Sequence, residues 1–156
     1  MRLSDYLEPE LVLLDLQTDG VEDTLQSFVD RLAETERVDN PELVAKALVD
    51  RETTHTTALG NGVALPHATL AGLQRPLILV GVAPEGIAFG PGDGEAPPER
   101  LFFVLLSPAN QAGTHIKLLA RIVRLVRIPT FVDSLVTAES GEALIDQIER
   151  VDAQHV

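Results

Sequence analysis

Apolar and polar positions along this chain follow two different periods, and the switches between them mark its elements. After Pro9, residues 11–16 are a short, nearly continuous apolar run, which predicts a buried strand. Asp19-Gly20 marks a turn, and Val21, Leu25, Phe28, Val29 and Leu32 then recur at three-and-four spacing among acids, predicting an amphipathic helix. A second helix is predicted from Asn40 as N-cap, with Pro41 at the first helical position and Leu43, Val44, Ala47 and Leu48 as its buried face. Arg51-Glu52 falls at its exit. Residues 53–65 are rich in Thr and small side chains, and Gly60-Asn61-Gly62 suits a tight hairpin turn between two short strands. The runs 77–83 and 101–106 predict stronger strands, with the Pro- and Gly-rich stretch 84–98 as an exposed excursion between them. From Thr114, read as a cap, Ile116, Leu119, Ala120 and Val123 outline one face of a helix that Pro129 stops. Thr130 and Ser140 look like caps for two further helices near 131–137 and 141–152.

The resulting order is strand, two helices, three or four strands, three helices. Helices that bury one stripe must cover a sheet, so the chain is expected to form α/β layers. Consecutive strands and a hairpin make the sheet mixed and argue against a doubly wound dinucleotide fold. At 156 residues, without an internal repeat, the chain reads as a single domain over 1–156.

Charge narrows the partners. Asp and Glu number 24 against 12 Lys and Arg, a formal net charge of −12, and only Lys46 and Lys117 are lysines. Nucleic acid and anionic membrane surfaces are therefore poor partners. The acid-rich, Lys-poor balance is also compatible with a salty cytoplasm. With no cysteine in the chain, disulfides, thiolate nucleophiles and Cys-based zinc sites are excluded. No apolar run reaches the roughly 18 residues of a membrane span and the start carries no signal-peptide pattern, so a cytoplasmic protein without membrane insertion is expected.

Chemistry rests on few side chains. There is no Gly-x-x-x-x-Gly-Lys-Ser/Thr loop, Asp93 in the stretch 90–94 would repel phosphate, and no Gly-x-Ser-x-Gly elbow or His-Glu-x-x-His spacing occurs. Of four histidines, His55 and His155 read as structural or incidental. His67 follows Val63-Ala64-Leu65-Pro66, so an extended segment ends by presenting an imidazole, a position that suits a site and an ordinary loop equally well. His115 is expected in the first turn of a helix, where the dipole favours a neutral ring and an anion can bind; simply filling the helix start is the other reading. Arg51, one of ten arginines, is either a surface cation or a guanidinium near His67, suited to gripping phosphoryl oxygens.

Glu52, six residues, then Leu59-Gly60-Asn61-Gly62-Val63-Ala64-Leu65-Pro66-His67-Ala68 resembles the phosphorylation-site signature of the fructose/mannitol-type enzyme IIA domains of the bacterial phosphotransferase system, a family that includes nitrogen-related IIA proteins. The flanks agree: Arg51 before the string, and Pro108-Ala109-Asn110-Gln111 leading to Thr114-His115 after it. The resemblance implies a three-layer α/β/α sandwich with a central mixed β-sheet. It implies His67 as phosphoryl acceptor, His115 as the second active-site histidine, Arg51 as the nearby positive group and Thr57 as a hydroxyl that binds a phosphoryl oxygen. His55 departs from the small residue usual at its place.

The function implied is a phosphohistidine carrier that accepts a phosphoryl group from an HPr-like protein and passes it to a IIB domain, with no metal, nucleotide or other cofactor. The alternative within the same resemblance is a nitrogen-type regulatory IIA protein whose phosphorylation state controls binding to transporters or regulators. A binding module that keeps the fold without the chemistry is a third possibility.

Overall fold

The computed structural model describes residues 1–89 and 98–155. In chain order its elements are β1 (Val12–Leu13), α1 (Gly20–Glu34), α2 (Pro41–Thr54), β2 (Val63–Ala64), β3 (His67–Leu70), β4 (Leu77–Ile87), β5 (Glu99–Pro108), α3 (Ala112–Val126), α4 (Phe131–Val136) and α5 (Gly141–Gln154). Two short 3-10 turns, Leu3–Tyr6 and Pro9–Leu11, precede β1.

The sheet is mixed, as expected. β4 and β5 run antiparallel through its centre, β1 lies parallel against β4, and β2 and β3 both lie parallel against the far edge of β5. Because strand side chains alternate between faces, β4 and β5 feed two cores at once. Val80, Phe103 and Leu105 pack under α3, α4 and α5, while Leu79, Phe102 and Val104 pack under α1 and α2. Helices on both faces make the α/β/α sandwich. At Gly81 the second core leaves no room for a side chain, since a Cβ there would sit 2.5 Å from Phe28 Cζ. Phe28 instead lies against the sheet with its ring 6.2 Å from that of Phe102.

Several expectations need correction. The first strand is shorter than 11–16, because Asp15 takes a left-handed backbone (φ 59°); extended pairing resumes only where the Leu16 N–H donates to the Val82 carbonyl. In α2, Asn40 caps as expected by accepting the Leu43 N–H, yet Leu43 itself is exposed, and Val44, Leu48 and Glu52 fill the inner face. α3 begins earlier than Thr114, with Gln111 at the cap position, so Thr114 lies inside the helix. Its buried face is His115, Leu118, Ile122, Leu125 and Val126, not the stripe of Ile116, Leu119, Ala120 and Val123, and Ile116 is 65% exposed. Thr130 adopts φ 72° and makes no side-chain cap bond to α4, whereas Ser140 does cap α5 by accepting the Ala143 N–H. Strand β4 continues to Ile87, which pairs with Glu99, so the excursion begins later than residue 84; residues 90–97, Asp93 included, lie outside the described residues.

The two ends of the described chain are tied together. The buried Asp152 carboxylate accepts the Leu3 N–H at 2.8 Å and pairs with Arg121 Nε of α3 at 2.6 Å.

Candidate functional site

Strand register builds the site. Ala68 and Leu70 of β3 point into the α1/α2 core, so His67 and Thr69 face the α3 side. On β5, Phe103 and Leu105 face that same side, which puts Ser107 there as well, and the parallel pairing sets His67 against Leu105 and Thr69 against Ser107. α3 starts just after β5 and lowers His115 onto this row. The His67 and His115 rings meet with centroids 5.6 Å apart at 51°. Two residues that are 48 positions apart in sequence thus share one surface. His67 begins a strand here, where the sequence reading put it at a strand's end.

The hairpin before His67 is fixed at several points. Gly60 and Gly62 take φ of 86° and 83°, as a tight turn demands. The Leu59 N–H donates to Val63 O and the Leu65 N–H to Thr57 O, closing the expected strand pair, although only a single bridge forms on its outer arm. Asn61 Nδ2 donates to the Val126 carbonyl, binding the turn to the end of α3.

Ring nitrogens are assigned by their partners. His67 Nδ1 lies 2.7 Å from the Leu65 carbonyl oxygen, which can only accept, so Nδ1 carries the proton and Nε2 keeps a free lone pair. His115 Nδ1 lies 2.7 Å from Ser107 Oγ, a buried hydroxyl that can donate or accept. Burial lowers the pKa of His67 most; the bond to Leu65 opposes that, the Arg51 charge lowers it further, and Glu52 raises it. His115 is lowered by burial and then by His67. Its neutral ring is therefore expected as before, but burial, not the helix dipole, is the leading cause.

Arg51 sits in the last turn of α2, its Nη1 donating to the His55 carbonyl at 2.9 Å, and its charge reaches His67. Glu52, next to it, is buried, and its carboxylate accepts both the Thr57 N–H at 2.7 Å and the Thr57 hydroxyl at 2.6 Å. Thr57 is thus placed near the site with its one hydroxyl proton committed to Glu52. A phosphoryl contact from Thr57 would require that bond to turn. Glu52 and Ser107 are the residues the sequence did not single out for a role. Glu52 opened the signature string without being given a role, and Ser107 was marked only by its place at the end of an apolar run. His55 and His155 are both exposed. Among the described residues no three His, Asp or Glu side chains converge as metal ligands. No helix among them is long and apolar enough to cross a membrane.

An α/β/α sandwich that sets two histidines on one sheet edge defines a specific class, and comparison with known proteins agrees. Residues 5–151 match the model of the "Phosphoenolpyruvate-dependent sugar phosphotransferase system, EIIA 2" family, and the chain belongs to that family. A nitrogen regulatory protein of Bradyrhizobium diazoefficiens is 33% identical over 144 residues, covering 92% of both chains. The fructose-specific EIIA component of Haloferax volcanii is 28% identical over 91% of each chain. The fructose-specific EIIABC component of Bacillus subtilis is 26% identical over 97% of this chain, which spans only 24% of that longer protein. Among solved structures, IIA-Ntr from Neisseria meningitidis superposes with a TM-score of 0.84 at 27% identity, covering 94% of this chain and 98% of its own.

Proposed function

We propose that this chain carries a phosphoryl group on His67 Nε2, taking it from the phosphohistidine of an HPr-like carrier and handing it to a IIB domain or holding it as a regulatory mark. The observation that carries this reading is the Leu65 carbonyl. By accepting the Nδ1 proton it leaves Nε2 as the nucleophilic nitrogen of a ring that burial keeps neutral.

The step balances without a further reactant. The Nε2 lone pair forms the new N–P bond while the carrier's N–P bond breaks and its electron pair returns to the carrier's imidazole. The transition state is loose, so alignment and charge stabilisation supply the catalysis. Arg51 offsets the phosphoryl charge. His115 assists if Ser107 Oγ–H donates to its Nδ1, because its Nε2 then carries the hydrogen and donates to a phosphoryl oxygen. The two histidines work as opposite tautomers, one supplying a lone pair and its neighbour a proton. Glu52 positions the segment leading to His67 through its two bonds to Thr57. The reaction takes place in the cytoplasm, where its donor resides.

Downstream transfer to a IIB domain has the support of a relative of the same fold, the Escherichia coli enzyme IIAMTL, solved in complex with phosphorylated enzyme IIBMTL. The regulatory reading has its own support. The Bradyrhizobium relative, matched over nine-tenths of both chains, and a second at 30% identity over 99% of this chain from Pseudomonas aeruginosa are both named nitrogen regulatory proteins.

Incubation with phosphoenolpyruvate, enzyme I and HPr tests the proposal. One acid-labile, base-stable phosphoryl group per chain is expected, absent in His67→Ala. A wild-type chain left unlabelled by a competent cognate carrier would refute it. Chasing the labelled chain with cognate IIB separates transport from regulation: loss of label to IIB supports relay, and retention supports regulation.

A further inference from the structure

The two site histidines share a pattern that phosphoryl transfer does not use. In each ring one nitrogen is turned into the protein: Nδ1 of His67 to the Leu65 carbonyl and Nδ1 of His115 to Ser107 Oγ, both at 2.7 Å. Neither Nε2 has a hydrogen-bond partner among the described residues, and both stay open to solvent. Metal-ligating histidines are held in this way, one nitrogen fixed by the protein so that the other aims its lone pair. Spacing agrees. A tetrahedral ion with Zn–N bonds of about 2.0–2.1 Å sets the centroids of two ligating imidazoles about 5 Å apart, and here they stand 5.6 Å apart.

The His67 ring already has the tautomer a metal needs. His115 reaches it through Ser107, whose hydroxyl accepts as readily as it donates. When that hydroxyl turns, the ring's hydrogen sits on Nδ1 and the lone pair on Nε2. One bond thus supports two states, a donor at Nε2 for transfer and a ligand at Nε2 for an ion. The Arg51 charge near His67 opposes a cation, the adjacent Glu52 carboxylate offsets it, and the formal net charge of −12 draws divalent ions to the surface.

We infer that His67 and His115 bind one Zn²⁺ through their two Nε2 atoms in the unphosphorylated chain, with water in the remaining positions, and that the ion blocks phosphoryl uptake. Zinc is the ion these donors fit, since it takes imidazole in a tetrahedron, whereas Mg²⁺ takes oxygen ligands in an octahedron. Two protein ligands, fewer than a resident zinc site has, keep the ion exchangeable. Binding moves lone pairs and no net proton: His67 gives its Nε2 pair, while His115 loses a proton from Nε2 to water and regains one at Nδ1. One lone pair cannot hold both zinc and phosphorus, so metal and phosphoryl exclude each other and zinc acts as a brake on loading. The site stands on ring geometry; the brake rests on the carrier reading above.

Calorimetric titration of the purified chain with ZnCl₂, in excess MgCl₂ to occupy surface carboxylates, tests the site. One Zn²⁺ per chain is expected, lost in His67→Ala and in His115→Ala and weakened about 10-fold in Ser107→Ala. Nitrogen-15 spectra of the wild-type rings need no variant, and zinc should shift both Nε2 signals and move the His115 hydrogen to Nδ1. Labelling by phosphorylated carrier, purified free of enzyme I, should slow about 10-fold at free zinc of about ten times Kd and recover with a chelator. His115→Ala, slower at the outset, should not respond to zinc, which separates an effect on this chain from one on the carrier. Absence of bound zinc, zinc that both histidine variants retain, or ring signals that do not move would each overturn the inference and leave the carrier reading intact. Zinc bound at the rings with labelling unaffected overturns the brake alone. A chain that a competent carrier cannot label without zinc defeats the carrier reading, and the titration then decides the site by itself.

Discussion

The two faces of the central sheet obey one alternation and end in different chemistry. Under α1 and α2 the inward residues of β3, β4 and β5 are apolar throughout and close around Phe28, Phe89 and Phe102. Under α3, β4 and β5 are just as apolar until β5 reaches Ser107, but β3 presents only His67 and Thr69 on this side, so a polar row forms there, met by His115. One face holds the sheet and the other spends its last turn of packing on reactivity. Changes on the first should therefore cost stability with little effect on transfer, and changes on the second the reverse.

The largest effect belongs to the closed face. Phe28→Ala should destabilise the chain by about 3–5 kcal/mol in urea unfolding, because a fully buried ring leaves a cavity, while the fraction still folded transfers phosphoryl groups at the wild-type rate. Gly81→Ala should cost about 1–3 kcal/mol on the same face, since the added methyl must displace Phe28. On the reactive face, His115→Ala should slow transfer about 100-fold, the loss expected for one well-aimed donor. Its midpoint in urea should move far less than that of Phe28→Ala. Ser107→Ala should slow transfer about tenfold by releasing the His115 tautomer, a step of about 1.4 kcal/mol in barrier. Equal rates for Ser107→Ala and wild type would remove the hydroxyl from the mechanism.

The smallest effect is on pH dependence, and it too should separate the faces. The folded pKa of His67 lies below its ordinary value of 6.5, chiefly through burial, so below that pH the unfolded chain binds more protons than the folded one. Stability is then fully present above about 6.5 and declines as pH falls through the lowered folded value; His115 adds in the same sense. Thermal melts between about pH 5 and 8 should show a shallower acid-side decline in His67→Ala than in Phe28→Ala.

Local signals made much of this fold readable. Asn40-Pro41 and Ser140 mark helix starts that hold in the structure, and the apolar runs in β4 and β5 give the two central strands. α3 was misread for a physical reason: it carries two apolar stripes, and period alone does not say which one faces the sheet. The buried stripe includes a histidine, which weakened its signal, while the other, in which Leu119 and Val123 are half-buried against the core and Ile116 and Ala120 are exposed, is uniformly apolar. The site was legible as a string ending in His67 and as a second histidine in a later helix. The Leu65 carbonyl that fixes one tautomer, the Ser107 hydroxyl at the other ring and the burial of Glu52 depend on strand pairing across distant segments. No spacing encodes those.

Asp152 has a practical corollary. Since a single carboxylate fastens residue 3 to both α3 and α5, sequences appended before Leu3 and after Asp152 emerge side by side, and a reporter pair fused there would start within fluorescence-transfer range. Breaking the clasp with Asp152→Asn, which strands the half-buried Arg121, should then register as lost transfer signal when the N-terminal turn peels away, ahead of any melting of the sheet.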